Sequence, residues 1–189
     1  MMQMFDSSEE LYFSWYLNDL KNKGYIKYYS RSGAYVLSDP CTATNIKIMK
    51  RVPNKVLEYS YVRGHKYTPD FYIEWTDKAK GIFFNDSFDT SARMIDYPFL
   101  VYRIKENNEY KICSEIEVKP KFDQNNMTRL AMINIKWLYS KYGILTTVII
   151  PQKLFKETFT PDRYLTTDKS KKGRKIKWAV KSMNDFINK

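Results

Sequence analysis

Two carboxylates and an ammonium group stand at the ends of short β-prone runs. Asp70 leads into Phe71, Tyr72 and Ile73, while Glu117 and Lys119 close a run that holds Tyr110, Ile112 and Ile116. Glu117 and Lys119 are two positions apart, so on a strand they project from one face, with Ile116 and Val118 on the other. Glu115 shares the face of Glu117, but only Glu117 has a lysine two residues on. Burial of Ile116 and Val118 would present Glu117 and Lys119 together in a cleft. Asp70 and Glu117 are hard oxygen donors, of the type that holds Mg²⁺ through few carboxylates while the ion keeps its waters. Phosphodiester hydrolysis needs a nucleophilic water, a polarised phosphate and a stabilised leaving oxyanion. A carboxylate-held metal and a lysine can supply all three.

A third carboxylate lies near the start. Ser7-Ser8-Glu9-Glu10 precedes Leu11, Phe13, Tyr16, Leu17 and Leu20, and Gly24 follows. Cap, first-turn acids, apolar spacing and glycine stop predict a helix from about Ser8 to Lys23. Glu10 falls on the face of Phe13, Ser14 and Leu17. Attraction to the helix dipole accounts for Glu9 and Glu10 equally well.

Other elements must position these groups. Tyr25 to Leu37 reads as a strand ended by Ser38-Asp39-Pro40, and a second strand is expected near Val56 to Val62. Lys47, Lys50, Arg51 and Lys55 suit either solvent or DNA. Arg63-Gly64-His65-Lys66 is a basic hinge before Pro69-Asp70, and its lone histidine is more often structural than catalytic. Thr76 to Gly81 is a turn, opening an apparent insertion from Asp77 to Asp96. Phe99 to Ile104 and Tyr110 to Val118 then form a hairpin around Glu106 to Glu109.

Asp123-Gln124-Asn125-Asn126 offers caps for a helix from Met127 to Tyr142. Leu130, Ile133 and Trp137 form one stripe, and Ala131, Ile135, Leu138 and Tyr142 another, so the helix is expected to be covered on more than one side. Gly143 stops it, and Ile144 to Ile150 is a buried parallel strand. Strand, helix and strand in this order make a βαβ crossover and an α/β fold. The second Thr-Pro-Asp, at Thr160 to Asp162, reads as a turn. From Lys169 a basic loop with Lys171, Lys172 and Arg174 leads to Ile176, Val180, Met183 and Ile187 at helical spacing. Such a loop suits a phosphate backbone or plain solvent. The organisation expected is a main domain over 1–165 and a basic loop with an amphipathic helix over 166–189.

Composition narrows the partner. A hydrophobic share of 43% argues against disorder, and a net charge of +11 favours a polyanion, nucleic acid first. The 16 tyrosines can pack and also stack at a surface. Cys41 and Cys113 have neither metal-ligand nor disulfide spacing, which suggests a reduced, cytoplasmic setting. No secretory signal is expected at the start, and no run is long enough for a bilayer, so no membrane partner is expected.

Pro69-Asp70 and Glu117-Val118-Lys119 resemble the two motifs of the PD-(D/E)xK nuclease superfamily. Ser7-x-x-Glu10-x-x-Phe13-x-x-Tyr16-Leu17 is similar to the first helix of its phage-type members, small endonucleases and Holliday-junction resolvases. The resemblance covers roughly Ser7 to Pro151. It implies a restriction-endonuclease-like core, a mixed central sheet flanked by helices. It also implies a DNA endonuclease, acting on branched or junction DNA in phage DNA processing, with Mg²⁺ (or Mn²⁺) as cofactor. Glu10, Asp70 and Glu117 would be the metal ligands and Lys119 the positioning base. Asn126, Arg129, Lys171, Lys172 and Arg174 would bind substrate. A homodimer is implied as well, because resolvases cut two strands symmetrically. Two departures stand out. Asp70 and Glu117 are 47 residues apart, longer than the family's usual spacing, and Pro120 follows the lysine where glycine is common. The alternative function is a nuclease-fold protein that binds DNA in replication, packaging or the virion without cutting it.

Overall fold

A serine starts the first helix. Ser7 Oγ accepts the Glu10 N–H at 3.1 Å, and helix α1 (Ser8–Asn22) runs on to Gly24, which takes a left-handed φ of +77° that favours glycine. Its apolar spacing buries Phe13, Trp15, Tyr16, Leu17 and Leu20. A computed structural model describes residues 5–47, 51, 53, 55–85, 97–122, 127–166 and 176–188.

Nine strands follow in the described residues: β1 (Ile26–Arg31), β2 (Tyr35–Ser38), β3 (Cys41–Lys47), β4 (Lys55–Val62), β5 (His65–Tyr67), β6 (Phe71–Trp75), β7 (Tyr102–Glu106), β8 (Glu109–Val118) and β9 (Thr146–Ile149). The central sheet is mixed. β6 lies between β1 and β8, antiparallel to both. The far edge of β8 is divided: β7 pairs antiparallel with its first half, and β9 pairs parallel with its second half. The protein is therefore α/β, and helix α2 (Met127–Tyr142) links the parallel pair β8 and β9.

Alternation along β8 divides the sheet into two faces. Ile116 and Val118 join Phe71, Ile73, Phe13 and Leu17 in the main core beneath α1. Aromatic rings fill much of it: Tyr16 stacks on Phe159 with centroids 4.3 Å apart, and Phe13 meets Phe71 edge-on at 5.4 Å. Helices α3 (Pro151–Glu157), α4 (Asp162–Thr166) and α5 (Met183–Ile187) contribute Phe155, Tyr164 and Met183 to the same core. The opposite face carries Glu115 and Glu117. A second cluster lies there, made by Ile135 and Leu138 of α2 with Leu37 and Tyr67 of the hairpin β2–β5.

Three expectations are corrected. α2 is covered on one side only: Ala131, Ile135 and Leu138 are buried, whereas Leu130, Ile133 and Trp137 are exposed. The sheet and hairpin bury one stripe, while the other stays exposed even at Trp137, whose ring touches His65. The second Pro-Asp begins a short helix, because Pro161 precedes α4 and the Tyr164 N–H bonds to the Pro161 carbonyl at 2.9 Å. The C-terminal helix is limited to Met183–Ile187, since Ser182 caps it in a reciprocal capping box with Asp185. Before it, the Thr160 N–H bonds to the Lys181 carbonyl at 3.1 Å and the Trp178 indole N–H to Thr160 at 3.2 Å, which ties 176–182 to the core without helix.

The segment between β6 and β7 also packs inward. Ala79, Phe83 and Phe84 are buried against Trp75, with Phe84 at 5.5 Å. Residues 86–96 of the expected insertion lie outside the described residues.

Candidate active site

The site forms where the start of β6 meets the end of β8. The antiparallel ladder extends one step past β6, because the Asp70 N–H bonds to the Ile116 carbonyl at 2.8 Å. Asp70 Oδ2 then accepts the Val118 N–H at 2.6 Å. On the other edge, the Lys119 N–H bonds to the Ile149 carbonyl at 2.8 Å. Both motifs are thus fixed by backbone from three strands.

Glu117 is buried, and each of its oxygens has a partner. Lys119 Nζ lies 2.7 Å from Oε1, and the Tyr67 hydroxyl donates to Oε2 at 2.8 Å. Glu10 is also buried. Ser7 Oγ donates to its Oε1 at 3.2 Å, and Arg31 forms an ion pair with its Oε2 while holding Asp6 at 2.9 Å. Glu10 therefore engages the cap residue Ser7 in the first turn of α1, and Arg31 adds a cation.

Asp70 shows how these charges act on one another. Burial, first, and the negative charges of Glu117 and Glu10 push its carboxyl up to about 7, against the Val118 N–H and the positive charge of Arg31. Tyr67 is raised by burial and by Glu117, Asp70 and Glu115. At neutral pH it remains a phenol and a hydrogen-bond donor.

Glu115 occupies the neighbouring place on the same face. Tyr35 donates to its Oε1 at 2.6 Å and Tyr102 at 3.2 Å. Burial raises its carboxyl, while the hydroxyls of Ser32, Tyr35 and Tyr102 work against the shift.

Asp70, Glu117 and Lys119 are gathered at one end of the sheet, and Glu10 reaches Asp70 through its charge. Among the described residues, no three His, Cys, Asp or Glu side chains stand close enough to hold one metal ion. Arg129 is exposed in the first turn of α2. Asn126, Lys171, Lys172 and Arg174 lie outside the described residues. His65 is structural in its contacts, with Nε2 at 2.8 Å from Asn134 and its ring stacked on Trp137.

Several site residues were not evident in the sequence. Arg31 faces Phe71 in the β1–β6 register and lies 5.5 Å over its ring, a pairing across forty positions that no local pattern marks. Tyr35, Tyr67 and Tyr102 were hidden among the 16 tyrosines.

Compared with known proteins, the chain matches no family model, no curated protein and no solved structure.

Proposed function

We propose that the protein is a metal-dependent DNA endonuclease with a restriction-endonuclease-like core. The observation that carries this reading is the convergence of Asp70, Glu117 and Lys119 at the junction of β6 and β8, with Asp70 tied to Val118 and Lys119 paired with Glu117. The order α1, β1, β6, β8, α2, β9, with β9 parallel to β8, supports it at the level of the fold. So does the net charge of +11.

The donor set suits a hard divalent cation. It consists of carboxylate oxygens, and Asp70 is pushed toward neutrality by burial and then by the negative charge around it, the second of which a cation would relieve. Asp70 and Glu117 would hold Mg²⁺ or Mn²⁺, which when bound polarises the scissile phosphate and makes a coordinated water more acidic. Tyr67 keeps Glu117 Oε2 in place, and Oε1 is the oxygen paired with Lys119. Lys119 lies beside that oxygen and can turn its ammonium to the attacking water or the developing charge. The water oxygen bonds to phosphorus and releases a proton to solvent, the P–O bond to the leaving group breaks, and the leaving oxygen takes up a proton from solvent.

A second reading has its own support. Glu10 and Glu117 are already matched by Arg31 and Lys119, as in a protein that keeps the fold to bind DNA without cutting it. Plasmid and branched DNA incubated with and without Mg²⁺, using wild type, Asp70→Ala, Glu117→Ala and Lys119→Ala, separates the two. The nuclease reading expects metal-dependent cleavage by wild type and a loss of at least about a hundredfold in each variant. DNA left intact by wild type while still bound would establish the second reading.

A further inference from the structure

Between Tyr35 and Tyr67 the chain leaves the body as a two-stranded arm. Its base is β2–β5, seated on α2, where Tyr142 donates to the Val36 carbonyl at 2.7 Å. The two strands then break together. At Gly64 a Cβ would come within 3.2 Å of Pro40 Cδ and of the Ser38 carbonyl oxygen, so a side chain at this close crossing would require its neighbours to give way by a few tenths of an ångström. Beyond it β3 and β4 continue as a ribbon that, among the described residues, pairs with no other strand.

The ribbon is unusual for a surface element. Val56 is 61% exposed, Tyr61 70% and Val62 48%. Two-stranded ribbons are marginal in water by themselves. Residues 41–66 carry Lys47, Lys50, Arg51, Lys55, Arg63 and Lys66 against one acid, Glu58. The backbone register sets Lys47 opposite Lys55 at the last described pair of the ribbon. Arg51, between the strands, is exposed.

We infer that this ribbon is an arm that enters a groove of duplex nucleic acid, an inference that rests on the nuclease reading for its substrate class. A major groove about 12 Å wide admits a two-stranded ribbon. The basic residues between and beside the strands match phosphates, and Tyr61 supplies apolar contact within the groove. A second copy of the chain fits less well, because it would bring the same excess of positive charge against this one. The base of the arm adjoins the site: Tyr35 holds Glu115, Tyr67 holds Glu117, and Asp70 follows three residues after Tyr67. A duplex gripped by the arm is thereby laid beside the carboxylates.

The test measures binding apart from cleavage. Fluorescence anisotropy of a labelled duplex and of a single strand is followed in EDTA over a salt series, with wild type, the triple variant Lys47→Glu/Arg51→Glu/Lys55→Glu, and Tyr61→Ala. Circular dichroism checks that the fold persists in each variant. The expected result is at least about tenfold weaker duplex binding by the triple variant. Its slope of log Kd against log salt should fall by about 2 to 3, and single-strand binding should change less. An unchanged duplex Kd and slope, or equal losses on both nucleic acids, would overturn the arm. A loss of dimer in the triple variant with duplex binding intact would assign the ribbon to a second copy instead. Wild type that binds no DNA at all sinks the nuclease reading itself, whereas binding that ignores the ribbon sinks only this inference.

Discussion

Asp70 Oδ2 accepts the Val118 N–H at 2.6 Å, so the first carboxylate is fastened to the backbone of the strand that carries the second. The bond sets the spacing of Asp70 and Glu117 whatever the length of chain between them. It also supplies one of the two influences, with Arg31, that keep Asp70 from rising further.

Stability should reveal that rise. Folding lifts Asp70 from its ordinary value of 3.8 to about 7, so between these values the folded protein holds a proton that the unfolded chain has released. The stability due to that proton is fully present below about pH 4, declines as pH rises and is gone above about pH 7. Asp70→Asn keeps an acceptor for Val118 and removes the charge. Thermal melts from pH 5 to 8 should show the variant gaining on wild type, by about 2 kcal/mol or less at pH 8. Parallel curves for the two proteins would refute the shifted carboxyl.

Divalent cation should compete with the same proton. At pH 8, millimolar Mg²⁺ or Mn²⁺ should raise the melting temperature of wild type and leave Asp70→Asn unchanged. Affinity by calorimetry should weaken below about pH 7, approaching tenfold per unit, because Asp70 must lose its proton first. Equal stabilisation of both proteins would place the ion elsewhere.

Glu117 depends on its two partners. Lys119→Met keeps much of the side-chain stem and removes the charge, leaving a buried carboxylate with only Tyr67. The cost should be about 1–3 kcal/mol by denaturant titration, reduced from a fully buried pair because Lys119 is partly exposed. Tyr67→Phe should cost about 1 kcal/mol. If each change is neutral, Glu117 is not held as described.

Arg31 links α1 to the site. Arg31→Gln removes the cation from Glu10 and Asp6 and takes away one of the influences that lower Asp70. Carbon-detected NMR titration of the Asp70 carboxyl should place its midpoint above that of wild type. A midpoint that stays put or falls would show that Arg31 does not act on Asp70.

The elements were legible wherever local chemistry was strong. The Ser7 cap, the stops at Gly24 and Gly143 and the left-handed Asn107-Asn108 turn between β7 and β8 all reflect short-range backbone preferences. The parallel placement of β9 followed from its β-branched run after a helix. The exposed stripe of α2 was not legible, because periodicity reports which residues share a face and not what covers it. The C-terminal helix failed for a similar reason. Spacing from Ile176 to Ile187 looked helical, but tertiary bonds to Thr160 took the backbone first. At the candidate site, Glu117 and Lys119 were legible from strand alternation alone. Arg31 and the tyrosine hydroxyls were not, since pairing across β1 and the β2–β5 hairpin depends on long-range register.

Tyr35 lies opposite Tyr67, so the chain sets out on the arm and comes home at one doorway. A hairpin with adjacent feet can gain or lose paired residues at its tip for little loop-closure entropy, without disturbing the register of β6 against β8. Reach and chemistry are therefore separately heritable in this architecture. Insertions, deletions and grafts distal to Gly64 can change the length of the hairpin while Asp70 and Glu117 stay where they are.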